Sequence, residues 1–371
     1  MDFTLPAEIE QLRLKVRHFV ESEVMPLEAD KSRFDDHENL LESVVAELRR
    51  KAKAQGLWGF QLPKNRGGLD LGVVGMAALY EEAARSPFGP VAFNCAPPDD
   101  GNMIVLNKIL KTEALKDRWL QPIIDGKVRS AFAMTEPDGG CGSDPGLTYT
   151  RAEKVGDKWI VNGRKWFITG AEGAQTFILI AKTSDDERKG LTAFLFDKDQ
   201  PGWEIIRRIP IMGPEEHGGH CELRFDGLEI PDENRLLEVG EVAAQYVENR
   251  MSFGSTLSQH EGVQWMMGEV AKEIHIGRLL TMNAAWKLDQ GDFARKEISI
   301  AKIQVADTLH KAADTAIQLC GARGYSKDTM IEWIYRYARQ ARLVDGASEI
   351  HKMVLSKYYL SEKDEFFKWG T

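Results

Sequence analysis

Residues 159–170 read Trp-Ile-Val-Asn-Gly-Arg-Lys-Trp-Phe-Ile-Thr-Gly. Aromatic and β-branched residues crowd both halves of this stretch, and Asn162-Gly163 between them is the strongest short hairpin signal. The reading is two strands, Trp159–Val161 and Lys165–Thr169. Upstream, Leu147–Lys154 carries Leu, Tyr and Thr at strand spacing, and Gly156-Asp157 makes a turn. Downstream, Phe177–Lys182, Leu191–Phe196, Glu204–Ile209 and Glu222–Ile230 repeat the pattern. Many short strands at regular spacing predict a compact β domain, barrel or sandwich.

The flanks have a different period. Pro6 sits where a first helical turn tolerates it, and Ile9, Leu12, Val16, Phe19 and Val20 follow on one face. Leu40–Gln55 repeats the pattern and Gly56 ends it. Lys64–Gly68 reads as a loop, Val73–Ala84 as a helix, and Met103–Ile124 as an amphipathic stretch broken near Lys111-Thr112. Helices return after Ala243: Val263–Leu288, Phe293–Cys320 with Gly321-Ala322-Arg323-Gly324 as its stop, Ile331–Val344, and Glu349–Tyr359. The predicted fold class is α+β and mostly α. An N-terminal helical domain spans 1–129, a central β-barrel or sandwich 130–236, and a C-terminal helical bundle 237–371. That order is not a doubly wound α/β fold.

Composition narrows the function. The 371 residues are 43% hydrophobic and 28% charged, with a formal net charge of −9. A large core is affordable, which excludes wholesale disorder. The acidic balance argues against a nucleic-acid surface, which needs clustered Lys and Arg. No run of 18 apolar residues spans a bilayer. The charged, helix-like start lacks an apolar signal core, so the expected compartment is the cytoplasm, or an organelle matrix if an import segment was removed. Cys95, Cys141, Cys221 and Cys320 form no CxxC pair and read as reduced thiols. His217-Gly-Gly-His220 lacks a third ligand at helical spacing and reads as a loop, so no metal is expected.

Four motifs carry chemistry. They are Phe132-Ala133-Met134-Thr135-Glu136-Pro137 followed by Gly142-Ser143-Asp144, and Lys165-Trp166-Phe167-Ile168-Thr169-Gly170-Ala171. The third is Arg250-Met251-Ser252-Phe253-Gly254, leading to Gln259-His260. The fourth is Gln318–Tyr325, followed by Arg336 and by Asp345-Gly346-Ala347-Ser348-Glu349-Ile350. In this order and on these predicted elements, the chain resembles the FAD-dependent acyl-CoA dehydrogenases from about Leu5 to Tyr359. It is most similar to the subgroup with Asp-Gly where most members have Glu-Gly. The resemblance implies an α domain, a β barrel and a four-helix bundle, with FAD between barrel and bundle. It also implies a homodimer or homotetramer acting on an acyl-CoA, and an electron-transfer flavoprotein as electron acceptor.

The implied reaction is α,β-dehydrogenation of an acyl-CoA thioester. A base removes the α proton while the β hydrogen leaves as hydride to flavin N5, and hydrogen bonds to the thioester carbonyl stabilise the developing enolate. By motif position the base is Asp345, one methylene shorter than the usual Glu, so substrate or backbone must approach closer. Burial against substrate and flavin is expected to raise its pKa. Phe132, Met134 and Thr135 match positions contacting the isoalloxazine, and Ser143 matches one between flavin and CoA. Phe167, Ile168 and Thr169 are expected along the ring, with Phe167 replacing the commoner Trp. The alternative for Phe167 is ordinary barrel core.

Arg250 and Phe253, with His260 beyond them, match positions reaching a neighbouring subunit's FAD, and Gln318, Gly321 and Ala322 match positions near the adenosine half. Gly346 follows the base on the substrate side. Ala347 and Glu349 match cofactor positions where Thr and Gln are more usual. Ala347 donates no hydroxyl bond, and Glu349 sets a negative charge near a phosphate.

One piece is short. Leu237–Glu241 matches the turn after the barrel, and Val242–Asn249 matches only the last two helical turns before Arg250. By comparison roughly 30 residues of the first bundle helix are absent, about 45 Å of helix. A bundle lacking that helix is expected to expose an apolar groove or to need a compensating partner, at about 25 cal/mol per Å² of apolar surface. Two rival readings follow: a flavin oxidase of the same fold, acting on an acyl-CoA or a nitroalkane, and a truncated inactive member acting as a binding subunit.

Overall fold

The computed structural model describes residues 5–138, 140–142, 145–186, 190–215, 217–236, 261–320, 325–327, 330–363 and 366. Its elements follow the α, β, α order. The first helix, α1 (Ala7–Phe19), opens behind Pro6 and buries Val16 and Phe19. Next come α2 (Glu42–Ala54), stopped by Gly56 in the left-handed region, and α3 (Gly72–Ala83). Val16, Phe19, Leu48, Leu57, Phe60, Leu79 and Phe93 pack into one apolar core. The break expected near Thr112 is real. Helix α4 (Gly89–Ala92) and α5 (Asp99–Ile109) precede it, and Thr112 then caps α6 (Glu113–Trp119), its hydroxyl accepting from the Leu115 amide. The short α7 (Gln121–Ile124) completes the helical domain.

The middle domain is one eight-stranded sheet: β1 (Arg129–Ala133), β2 (Arg151–Val155), β3 (Lys158–Thr169), β4 (Ala174–Lys182), β5 (Leu191–Asp197), β6 (Trp203–Arg208), β7 (His220–Pro231) and β8 (Arg235–Leu236). Its strand order is β6-β7-β3-β2-β4-β5-β8, with β1 parallel to β4. One face encloses Trp159, Phe177, Phe194, Phe196, Leu223 and Phe225. On the other, Ile178, Ile180 and Leu195 meet Met103, Leu106 and Trp119 of the helical domain. That double packing explains why β4 reads as a nearly continuous apolar run.

The hairpin expected at Asn162-Gly163 is not there. The turn lies at Gly156-Asp157, and β3 runs straight through, paired with β7 on both sides of a register shift at Val161/Asn162. Asn162 uses its side-chain oxygen to accept from the Gly227 amide at 2.8 Å. Gly163 lies so close to Thr150 that a Cβ would come within 2.6 Å of the Thr150 Cα. Gly163 therefore serves close backbone approach at a bulge.

The C-terminal helices are α8 (Glu261–Asp289), α9 (Arg295–Cys320), α10 (Ile331–Gln340) and α11 (Ser348–Glu362). Helices α8 and α9 are antiparallel and pinned by Lys287–Glu297 at 2.9 Å. Their core is thin. Among the described residues one small buried cluster holds Leu309, Ala313 and Ala338, while Trp265, Phe293, Met353 and Leu360 are exposed.

Candidate active site

The first half of the site is built where β1 and β3 end. Strand β1 delivers Phe132, and Met134 and Thr135 follow it. The Thr135 carbonyl accepts from the Trp166 amide at 2.9 Å, tying this loop to β3. Beneath it Lys165 is fully buried, its ammonium donating to the Met134 carbonyl and to Glu136, both at 2.7 Å. The Glu136 carboxylate also accepts from the amides of Tyr149 and Thr150. Burial pushes the Lys165 pKa down against the pull of Glu136. For Glu136, burial acts upward, but the Lys165 charge and the donated hydrogen bonds outweigh it and hold the carboxyl below its ordinary value.

A bulge then re-aims β3. Pairing with β7 skips between Lys165 and Ile168, and Phe167 sits at φ +51° with its ring 43% exposed. Phe167 is thus a presented ring, not barrel core. Ile168 turns inward and is buried in the sheet core, so any ligand contact there would come from its backbone. The Thr169 hydroxyl lies 3.1 Å from Nδ1 of His220, its partner across the β3–β7 ladder.

The second half lies between α10 and α11. Asp345 (φ +55°) and Gly346 (φ +82°) are consecutive left-handed residues. Asp345 lines a cavity of about 310 Å³ whose walls include Met76 and Tyr80 of α3, Leu288 of α8, Val305 of α9 and Tyr337 of α10. Asp345 is exposed in the chain, so the burial expected around it is not supplied by the chain's own residues. On the same cavity wall the Lys302 ammonium is buried without a hydrogen-bond partner. Burial lowers its pKa, while Asp345 and Glu349 pull the other way. His351 braces the turn, with Nε2 3.2 Å from the Asp345 carbonyl and Nδ1 3.1 Å from the Ser299 hydroxyl.

Ala347 is the N-cap of α11 and makes no side-chain cap bond. Ala347→Ser supplies the missing acceptor and is expected to stabilise the protein by about 1 kcal/mol, read as a higher urea midpoint at unchanged slope. Glu349 is exposed in the first turn of α11, where an acidic side chain complements the helix dipole. Gln318 is exposed near the end of α9. Ser143, Arg250, Phe253, His260, Gly321 and Ala322 lie outside the described residues.

Thr135, Phe167 and Thr169 therefore lie where β1 and β3 end, Phe132 and Met134 pack against the core shared with the helical domain, and Asp345 and Gly346 belong to the helical cavity. None of the first five lines the cavity. The sequence reading missed Glu136 as a partner of Lys165, and it missed His220, Lys302, Ser299 and His351. Of these, only Glu136 sat inside one of the four motifs.

Three family models cover the chain: acyl-CoA dehydrogenase N-terminal domain at residues 6–127, middle domain at 131–228, and C-terminal domain at 237–360. The chain belongs to the acyl-CoA dehydrogenase family. The probable acyl-CoA dehydrogenase FadE2 of Mycobacterium tuberculosis is 31% identical, over 99% of this chain and 99% of that protein. The (R)-benzylsuccinyl-CoA dehydrogenase of Thauera aromatica is 32% identical over 98% of each. Acyl-CoA dehydrogenase family member 11 of Gallus gallus is 31% identical over 96% of this chain, and the chain spans about half of its length, 51%. The structure of a glutaryl-coenzyme A dehydrogenase complex superposes with a TM-score of 0.81 at 26% identity, covering 100% of this chain and 99% of that one. The alignment with FadE2 runs over 409 residues against the 371 here, so that relative has residues without a counterpart in this chain.

Members of the family are FAD-dependent flavoprotein oxidoreductases. The end of β3 in this family member fits such a group. A half-exposed aromatic ring held in a sparsely populated backbone conformation, edge-on to Trp166 at 5.0 Å and near His220, is an arrangement that a flat aromatic ligand covers. Elsewhere the described residues contain no group of three or more His, Cys, Asp or Glu able to hold a metal ion. His217 is half-buried and its pKa is lowered to about 4, chiefly by desolvation and then by Arg129. Cys95, Cys141 and Cys221 are buried free thiols. No described helix is long and apolar enough to cross a membrane.

Proposed function

We propose that this acyl-CoA dehydrogenase abstracts the α proton of an acyl-CoA thioester with Asp345. The observation that carries the reading is the placement of Asp345: a carboxylate held in a left-handed turn on the wall of a largely apolar cavity. Phe132, Met134, Thr135, Phe167 and Thr169 hold the FAD ring, with the backbone of Ile168 beside them. Bound FAD supplies the acceptor for the β hydrogen and its electron pair. The cavity walls exclude water from the acyl chain, which strengthens every charge interaction at the α carbon. The Asp345 carboxylate takes the α proton, and nearby Lys302 offsets the negative charge that it carries before the transfer. We assign an electron-transfer flavoprotein as the acceptor of the electrons and a homodimer or homotetramer as the assembly.

Anaerobic titration of the purified protein with acyl-CoA thioesters tests this. The flavin absorbance is expected to bleach and to stay bleached until an electron acceptor is added. Rapid reoxidation in air with peroxide release would reassign the chain as an oxidase of the same fold. A colourless protein that takes up no FAD would make it a binding subunit.

A further inference from the structure

Asp345 has one side-chain torsion fewer than Glu with which to aim its carboxylate. Its aim is therefore set by the backbone more strictly than that of a longer base. Yet the backbone here is two consecutive left-handed residues, a conformation that costs a non-glycine residue energy and needs external support. The support is visible. His351 is 4% exposed and Ser299, across from it on α9, is 3% exposed. The Ser299 hydroxyl carries one proton and lies 3.1 Å from Nδ1, and Nε2 lies 3.2 Å from the Asp345 carbonyl. A carbonyl only accepts, so Nε2 carries the imidazole proton, and Nδ1 accepts from Ser299. The two bonds form a directed chain from Ser299 through His351 to the backbone of Asp345. Gly346 completes it: a Cβ there would meet Nε2 at 3.1 Å, so the imidazole reaches the turn only past a glycine.

We propose that His351, oriented by Ser299, is the positioning residue for the Asp345 base. The proposal rests on the assignment of Asp345 above. The Nε2–H bond holds the left-handed turn so that the short carboxylate faces the cavity. The burial that lowers the His351 pKa keeps the ring neutral, as this bonding pattern requires. The groups facing the ring are Lys302 and Ser299 of α9 and Asp345 of the turn; Glu349, two residues back on its own helix, acts on Lys302.

The test compares His351→Leu, His351→Gln and Ser299→Ala with the wild-type holoenzyme and with Asp345→Asn. Gln reaches the carbonyl with an amide N–H, whereas Leu does not. In His351→Leu, flavin reduction at saturating acyl-CoA is expected to slow by about 10²-fold, the cost of a misplaced catalytic group, with FAD content and acyl-CoA affinity preserved. His351→Gln is expected to recover most of that rate. Ser299→Ala removes only a hydroxyl, frees the tautomer, and is expected to slow reduction by roughly tenfold. In the wild-type protein, ¹⁵N NMR of the histidines is expected to show His351 neutral with the proton on Nε2. A wild-type reduction rate in His351→Leu, or an Nδ1–H tautomer, overturns the proposal. If His351→Leu does not fold, Ser299→Ala and the tautomer decide it. Undiminished bleaching in Asp345→Asn would overturn the base assignment and the proposal with it; a dead Asp345→Asn beside an active His351→Leu would overturn the proposal alone.

Discussion

Asp345→Asn is expected to bind FAD normally and to lose roughly 10²–10⁴-fold in the rate of flavin reduction by acyl-CoA. The side chains are nearly isosteric, so the turn, the His351 brace and the cavity wall remain. Only the ability to accept a proton is lost. Rapid-mixing absorbance at 450 nm, with acyl-CoA as the reductant, measures the rate. A reduction rate within a few-fold of wild type would remove Asp345 from the chemistry. Asp345→Glu is the sharper companion. It restores a carboxylate but adds a methylene, and the His351-held backbone gives that extra length nowhere to go without moving substrate. It is expected to retain FAD and to reduce more slowly than wild type.

Much of this architecture was legible because it is local. Helix periodicity found α1, α2, α3 and the long bundle helices, and the break near Lys111-Thr112 was legible, although not that the Thr112 hydroxyl caps α6. The failures have a common cause. Asn162-Gly163 carries a hairpin signature, but pairing with β7 on both sides of it turned that preference into a bulge. At Phe167 the barrel-core alternative fails for the same reason, because the skip between Lys165 and Ile168 inverted which side chains face out. A register slip of this kind leaves no mark in one strand read alone, since it is decided by the neighbouring strand.

The site divides the same way. Motif positions named Asp345 and the residues at the strand ends, yet not the groups that hold them. His351 is six residues beyond Asp345, but Ser299 is on another helix, and only the α9·α11 packing brings them together. Lys302 lies on a predicted helix with nothing in its spacing to show that its ammonium would be buried beside Asp345. Supports of a functional group are tertiary contacts, so a sequence names the group before it names what aims it.

The largest stability loss is expected from the Lys165–Glu136 pair. Lys165→Met removes one charge of a fully buried ion pair and leaves Glu136 charged in the sheet, which costs about 3–5 kcal/mol. Buried ion pairs can often be replaced as a unit by apolar residues at little cost. This one cannot, because each member has a second task. Lys165 also satisfies the Met134 carbonyl, and Glu136 also satisfies the amides of Tyr149 and Thr150. Lys165→Met with Glu136→Leu should therefore remain well below wild type, since the double change orphans a carbonyl and two amides. Equilibrium urea unfolding of the two single variants and the double variant would measure the coupling between the sites. A double variant as stable as wild type would show that the backbone groups find other partners. The sign of the pH dependence follows from Glu136. Its folded pKa lies below the ordinary 4.5, so its contribution is fully present above that value and is lost as pH falls through the lower folded value. Wild type should lose stability over that acid window more steeply than Glu136→Gln. Because the pair lies directly beneath Met134 and Thr135, the Lys165→Met protein should also release FAD more readily, with a shifted flavin spectrum in whatever fraction stays bound.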